Sequence, residues 1–397
     1  MMNKGQIYAQ NKKRFVMLVI TNAYVKTMAG KDIKNCSILI DDNGKIAEVG
    51  KKIDVPADAE VIDAEGRLVT PGCIDGHCHV GLWNEIYAVN DDHNEKGDPI
   101  TPHMRGIDGI NPVDETFESA LRRGVTTACT GPGSVNVIGG TFAVIKLCGN
   151  NIDKMVVKNP AGMKCAFGEN PKKNYSEKGK SPITRMGTAA LLRETLMKAK
   201  KYAEEDEMGK PHAFDIKLES MIPVMRKEIP LKAHAHQADD ILTAIRIAKE
   251  FDVDMTIDHC TDGVFLTEEL LEAGYPLMLG PLISGNHKVE CRNKSFENPA
   301  KLKKAGLNFC IITDSPVVPL EYLPMCAGLC VRDGLDVEDA WRAITIEPAK
   351  ILGVADRIGS IEKGKDADIV IWDKDPLLTV GAVSYKTIVD GKVVYSM

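Results

Sequence analysis

The sequence predicts an α/β protein: a TIM-like (β/α)8 barrel carrying a composite β-sandwich built from the two ends of the chain. Three observations support that expectation. From residue 69 onward, apolar strand-like runs alternate with helical patterns, the signature of βα units and a parallel sheet. Eight such runs can be counted, the number a closed barrel needs. The flanking segments, 15–68 and 357–397, instead hold short strands punctuated by hairpin turns.

The elements follow in order. In the first segment, Phe15 to Ala23 and Ser37 to Asp41 read as strands. Asp42-Asn43-Gly44 then turns the chain into Lys45 to Val49, and Ala59 to Asp63 is another short strand. The barrel, expected over 69–356, has candidate strands at 71–77, 124–130, 141–146, 163–168, 229–234, 253–258, 275–280 and 307–313. Helices are expected at Thr184 to Glu205, at Ala238 to Phe251 with Ile241, Ile245 and Ala248 on one face, and at Asp336 to Ile344. Asn298 as N-cap, Pro299 behind it and Gly306 past the end mark one more. In the last segment, Ala367 to Trp372, Lys386 to Val389 and Lys392 to Tyr395 read as strands, with Asp390-Gly391 as a turn. The two strand-rich ends would most simply pair into one sandwich. Two long connections, Gly81 to Pro112 and Gly168 to Ile183, are expected to carry function.

Composition narrows the class. The chain has 397 residues, 44% hydrophobic and 27% charged, with a net charge of −6. That suits a globular protein with an ample core and gives no basic surface for nucleic acid or an anionic membrane. The apolar run Phe15 to Ile20 is too short to span a bilayer. Eleven cysteines, scattered and odd in number, suggest reduced thiols and a cytoplasmic location rather than a disulfide framework.

The chemistry is concentrated at strand ends. The run from Leu68 closes on His77-Cys78-His79. In a strand, side chains at i and i+2 share a face, so two imidazoles leave one strand end together. A second pair, His234-Ala235-His236, ends another candidate strand. Nine histidines in this chain would give roughly 0.2 such pairs by chance. Gly168-Glu169-Asn170, Asp258-His259 and Thr313-Asp314-Ser315-Pro316 end three further strands. In a parallel barrel these groups converge on one mouth, where imidazole nitrogens and carboxylates suit a zinc-type ion.

The segment Thr70-Pro71-Gly72-Cys73-Ile74-Asp75-Gly76-His77-Cys78-His79 resembles the strand-one signature of the metal-dependent amidohydrolase superfamily, in its imidazolonepropionase- and prolidase-related branch. Gly359 to Val370 is similar to that superfamily's closing signature, and Thr345 to Gly353 to its penultimate helix. The resemblance covers nearly the whole chain. It implies that His77, His79 and Asp314 bind a first metal and that His234 and His259 bind a second. His236 points to the same mouth as a ligand or a catalytic, carbonyl-polarising group. A bridging ligand is also implied, either a Glu or a carboxylated Lys. Glu169 at the strand end is preferred here over Lys164, five residues deeper. Arg185, His287 and Arg292 are candidate contacts for a substrate carboxylate or the cleft mouth.

The expected activity is hydrolysis of a C–N bond in a cyclic or peptide-like amide by water activated on one or two divalent metals, zinc by default, with Asp314 as base and then acid. A deaminase of an amino-substituted heterocycle would use the same residues. A non-catalytic scaffold of the same fold is the alternative from another class. The expected partners are a small-molecule substrate and further copies of the chain in a homo-oligomer, with neither nucleic acid nor membrane.

Overall fold

A computed structural model describes residues 17–84, 91–283 and 288–397. Five strands open the chain: β1 (Leu18–Val25), β2 (Ile33–Ile40), β3 (Ile46–Gly50), β4 (Glu60–Asp63) and β5 (Leu68–Pro71). Eight more form the barrel: β6 (Cys73–Cys78), β7 (Val125–Thr130), β8 (Ile138–Lys146), β9 (Val156–Ala166), β10 (Leu231–Ala235), β11 (Met255–His259), β12 (Leu277–Leu279) and β13 (Phe309–Ile311). Three close the chain: β14 (Ile369–Trp372), β15 (Ser384–Val389) and β16 (Lys392–Ser396).

The two ends do combine. β5 pairs antiparallel with β14, so the first and last segments share one sheet, in the order β16-β15-β14-β5-β1-β2-β3. The sheet branches at β1, whose first half pairs with β4 and whose second half pairs with β5. Ile20, Ile38 and Ile62 from one end and Ile369, Ile371 and Ile388 from the other pack into one apolar cluster, the interior of a sandwich.

All eight expected barrel strands form, in sequential order β6 to β13. One runs against expectation: β8 is antiparallel to both β7 and β9. Apolar periodicity carries no strand direction, so this was not readable. The expected helices are present as Arg185–Glu207, Ala238–Phe251, Asn298–Lys304 and Val337–Ala343. Thr184 and Asp336 cap two of them by accepting backbone N–H groups, as their residue types favour. The cap before Pro299 moves back to Glu297, with Asn298 the first helical residue. The connection after residue 168 is not all loop, because Glu169–Ser176 is a helix with Pro171 in its first turn.

β13 and β6 are not joined by a hydrogen-bonded ladder. The barrel closes there through Asp75: its Oδ2 accepts from Thr313 N at 3.0 Å and Thr313 Oγ1 at 2.5 Å, while its Oδ1 accepts from His77 N at 3.0 Å. His79 N donates to Ser315 O at 2.8 Å, extending the seam by one more bond.

A buried ionic cluster ties the barrel to the sandwich. Lys146, at the end of β8, lies 2.8 Å from Asp366 Oδ2 and 3.1 Å from Asp368 Oδ1, and also pairs with Asp390. Lys45 and Arg357 converge on the same Asp366. Burial raises the pKa of Asp366, but Lys146, Lys45 and Arg357 outweigh that and hold it at about 2, below the ordinary 3.8. A depressed carboxylate stabilises the fold fully above its unfolded pKa and loses that contribution as pH falls through its folded value. Asp366→Asn should therefore destabilise the protein by about 2–3 kcal/mol at pH 7. The difference from wild type should be smaller at pH 3, as measured by urea denaturation at both values.

Candidate metal centre

The barrel mouth gathers the histidines. β6 delivers His77, with His79 just past its end, and β10 brings His234 and, just past its own end, His236. Both pairs leave their strands on the inward face. His259, next to inward-facing Asp258, should by alternation point away. It instead has φ +77° and its ring turns back to within 4.4 Å of His234, centroid to centroid. Asp314 also sits at positive φ, +55°. Non-glycine residues rarely adopt that region, and where they do the site is often functional.

Two clusters result. In one, His77, His79 and Asp314 each offer a donor atom, all within 4.8 Å of one another; in the other, His234, His236 and His259 do the same. His77 Nε2 and His79 Nε2 lie 3.6 and 3.3 Å from Asp314 Oδ1. The rings of His77 and His259 stand 5.4 Å apart, so the clusters adjoin. A cleft of about 320 Å³ opens onto them, lined by His79, Trp83, His93, His234, His236 and Asp314 among others.

The outer nitrogens are tied down. His79 Nδ1 donates to Gly131 O at 2.8 Å and His259 Nδ1 to Gly280 O at 2.7 Å. A carbonyl can only accept, so these Nδ1 atoms hold the ring protons and Nε2 keeps its lone pair for the interior. His77 Nδ1 lies 2.8 Å from Asp258 Oδ2, and His236 Nδ1 lies 2.8 Å from Thr261 Oγ1. Burial, reinforced by neighbouring Lys164, pushes His77 down to about 3; burial likewise takes His236 to about 4 and His234 and His259 well below the ordinary value. These imidazoles are neutral donors. His234 Nε2 and His259 Nε2 are buried without a hydrogen-bond partner among the described residues. Buried lone pairs facing one another, with a carboxylate beside them, fit a divalent cation by the chemistry of the donor set.

Asp314 is held below the usual carboxylate range. Burial raises it, but the imidazoles of His259, His79 and His77 outweigh that. Asp258 is likewise ionised, because Lys232, His77 and Lys164 overcome its burial.

The structure does not bring every expected residue to this site. Glu169 belongs to neither cluster: it starts a helix, and its Oε1 accepts the backbone N–H of Glu290 at 3.1 Å. Lys164, the alternative to it, lies nearer the first cluster. It is fully buried, its Nζ lies 3.2 Å from His77 Nε2, and burial lowers its pKa to about 8. Arg185 is not a cleft residue, since Asp239, Asp240 and Gln237 occupy its guanidinium. Arg292 is exposed and does not line the cleft either. His287 lies outside the described residues.

Other residues were missed from sequence. Lys232 sits opposite Lys164 in the β9–β10 register, 3.5 Å from Asp258. It could have been found two residues before His234, on the same strand face. His93, a connection residue, stacks on Trp83 at 4.2 Å, pairs with Asp91 and walls the cleft. Glu290 has no sequence signal.

The sequence profile of the amidohydrolase family matches residues 68–394. The chain belongs to the amidohydrolase family. An amidohydrolase from Thermotoga maritima MSB8 is 41% identical and superposes with a TM-score of 0.92, covering 96% of this chain and 100% of that one. Amidohydrolase tasK of Hapsidospora irregularis is 30% identical over 88% of this chain, which spans 39% of that relative. Imidazolonepropionase of Brucella anthropi is 24% identical, covering 89% of this chain and 92% of the relative. This amidohydrolase is therefore an enzyme of the imidazolonepropionase-related branch, a metal-dependent hydrolase of C–N bonds.

The carboxylate behind a metal-binding histidine sets its orientation and basicity. Asp258→Asn should weaken divalent-cation affinity by about 10–100-fold, read by competition with a chromogenic chelator.

Proposed function

We propose that this amidohydrolase opens the C–N bond of a small cyclic or peptide-like amide, with zinc as its default metal and up to two ions held at the mouth. The reading rests on one observation: two adjoining sets of donors, His77/His79/Asp314 and His234/His236/His259, all buried except the half-buried Asp314, face one cleft. Lys164 stands where a bridging ligand is needed, and His236 completes the second set while facing substrate. A bound divalent cation would lower the pKa of water toward neutrality and polarise the amide carbonyl.

The chain's own residues do the rest. Asp314 is ionised at neutral pH and half-buried beside both sets, so its carboxylate can accept the proton of the attacking water and return it to the departing nitrogen. Asp258 and Gly131 O fix the rings of His77 and His79 so that their Nε2 atoms stay aimed inward. Trp83 and His93, stacked on one another, wall the cleft in which the substrate would sit.

We also infer a cytoplasmic homo-oligomer acting on a free small molecule. Eleven free thiols support a reducing compartment, and no helix among the described residues is long and apolar enough to cross a membrane.

The test is a substrate panel of five- and six-membered cyclic amides, Xaa-Pro dipeptides and amino-heterocycles. Ring opening or dipeptide cleavage that chelator removes and zinc restores is the expected result. Ammonia release from the heterocycles alone would favour a deaminase. Asp314→Asn should lower kcat by about 10²–10⁴-fold, and activity unaffected by exhaustive chelation would sink the proposal.

A further inference from the structure

Glu290 lies in a short 3-10 turn, Val289–Cys291, beyond β12, and its side chain is 1% exposed. A carboxylate this deeply buried needs partners for both oxygens. Oε2 has one, accepting the Glu169 N–H at 3.0 Å, while Glu169 Oε1 accepts the Glu290 N–H at 3.1 Å. This reciprocal clasp locks the end of β9 to the loop after β12. Gly168 makes room for it: at φ +78°, a Cβ there would stand 2.6 Å from Glu290 Oε2.

The other oxygen, Oε1, has no hydrogen-bond partner among the described residues. It points at the second histidine set, 3.5 Å from His234 Nε2 and 4.0 Å from His236 Nε2. Lys288 Nζ lies 3.6 Å away, too far for a hydrogen bond, on a side chain that is 42% exposed. His234 Nε2 is also without a partner. Two buried polar atoms, held 3.5 Å apart with no hydrogen-bond partner among the described residues, call for a shared cation. On a tetrahedral ion with bonds near 2.0–2.2 Å, neighbouring donors stand about 3.3–3.6 Å apart.

Charge leads to the same place. The first set includes a carboxylate, Asp314, whereas the second consists of three imidazoles. A buried dication held by imidazoles alone would have no anion among its own ligands. Resting on the metal-dependent reading above, we propose that Glu290 is the carboxylate ligand of the second cation, joining His234, His236 and His259. The Glu169 clasp holds it in place, which gives Glu169, just past β9, a positioning role.

The experiment titrates metal-free wild type, Glu290→Gln, Glu290→Asp and Glu169→Gln with Zn²⁺ against a chromogenic chelator, and records visible spectra with Co²⁺. Glutamine at 290 keeps an oxygen for the Glu169 N–H but is a poor metal ligand. Aspartate keeps the charge but withdraws the oxygen by one methylene. Each should lose affinity for the second cation by at least about 10-fold and change the cobalt spectrum, and whichever folds as wild type by circular dichroism decides. Glu169→Gln keeps its acceptor oxygen and should bind as wild type does. Two cations bound by the 290 variants with wild-type affinity and spectrum would overturn the inference, as would a wild type that holds only one. A wild type that binds none would instead overturn the metal-dependent reading itself.

Discussion

Five imidazoles buried at one end of a barrel can coexist only while uncharged. Protonation would place like charges a few ångströms apart in a low-dielectric pocket. Burial accordingly lowers His77, His234, His236 and His259 below the range where they would ionise. Neutral rings expose lone pairs, and lone pairs that cannot reach water need a cation. Much of the surrounding architecture follows: carbonyls of Gly131 and Gly280 fix tautomers, Asp258 backs His77, and Lys232 supports Asp258.

The same end of the barrel is where its strands are joined least regularly. β6 and β13 meet through the carboxylate of Asp75 instead of a ladder, and that carboxylate grips Thr313 and the N–H of His77 together. The seam that closes the fold thereby sets the spacing between His77 and Asp314. Stability and metal geometry share one buried side chain, so a change at Asp75 cannot affect one without the other. Left-handed backbone at His259 and Asp314 shows a related compromise, in which regular strand geometry yields to the direction a donor must face.

Much of this was legible beforehand, for identifiable reasons. Strand ends are marked by apolar runs closing on polar donors, so His77, His79, His234, His259 and Asp314 stood out. The long helix 185–207 was visible as a helix over Thr184 to Glu205, with Thr184 proving to be its cap. The direction of β8 was not, because direction leaves no trace in hydropathy. Glu169 was preferred over Lys164 on the rule that ligands sit at strand ends. A lysine's four methylenes let its ammonium reach His77 from a position deeper in the strand, while the Glu169 carboxylate is engaged by the Glu290 backbone. Lys232, Asp258 and Glu290 act through contacts between distant segments, and Arg185 looked free only because Asp239 and Asp240 are brought to it by folding.

The most direct test of the account is anomalous X-ray scattering from crystals of zinc-loaded protein, with data collected on both sides of the zinc edge. The account predicts two peaks a few ångströms apart, one among His77, His79 and Asp314 and one among His234, His236 and His259. No peak at the barrel mouth, or zinc only at surface residues, would contradict it.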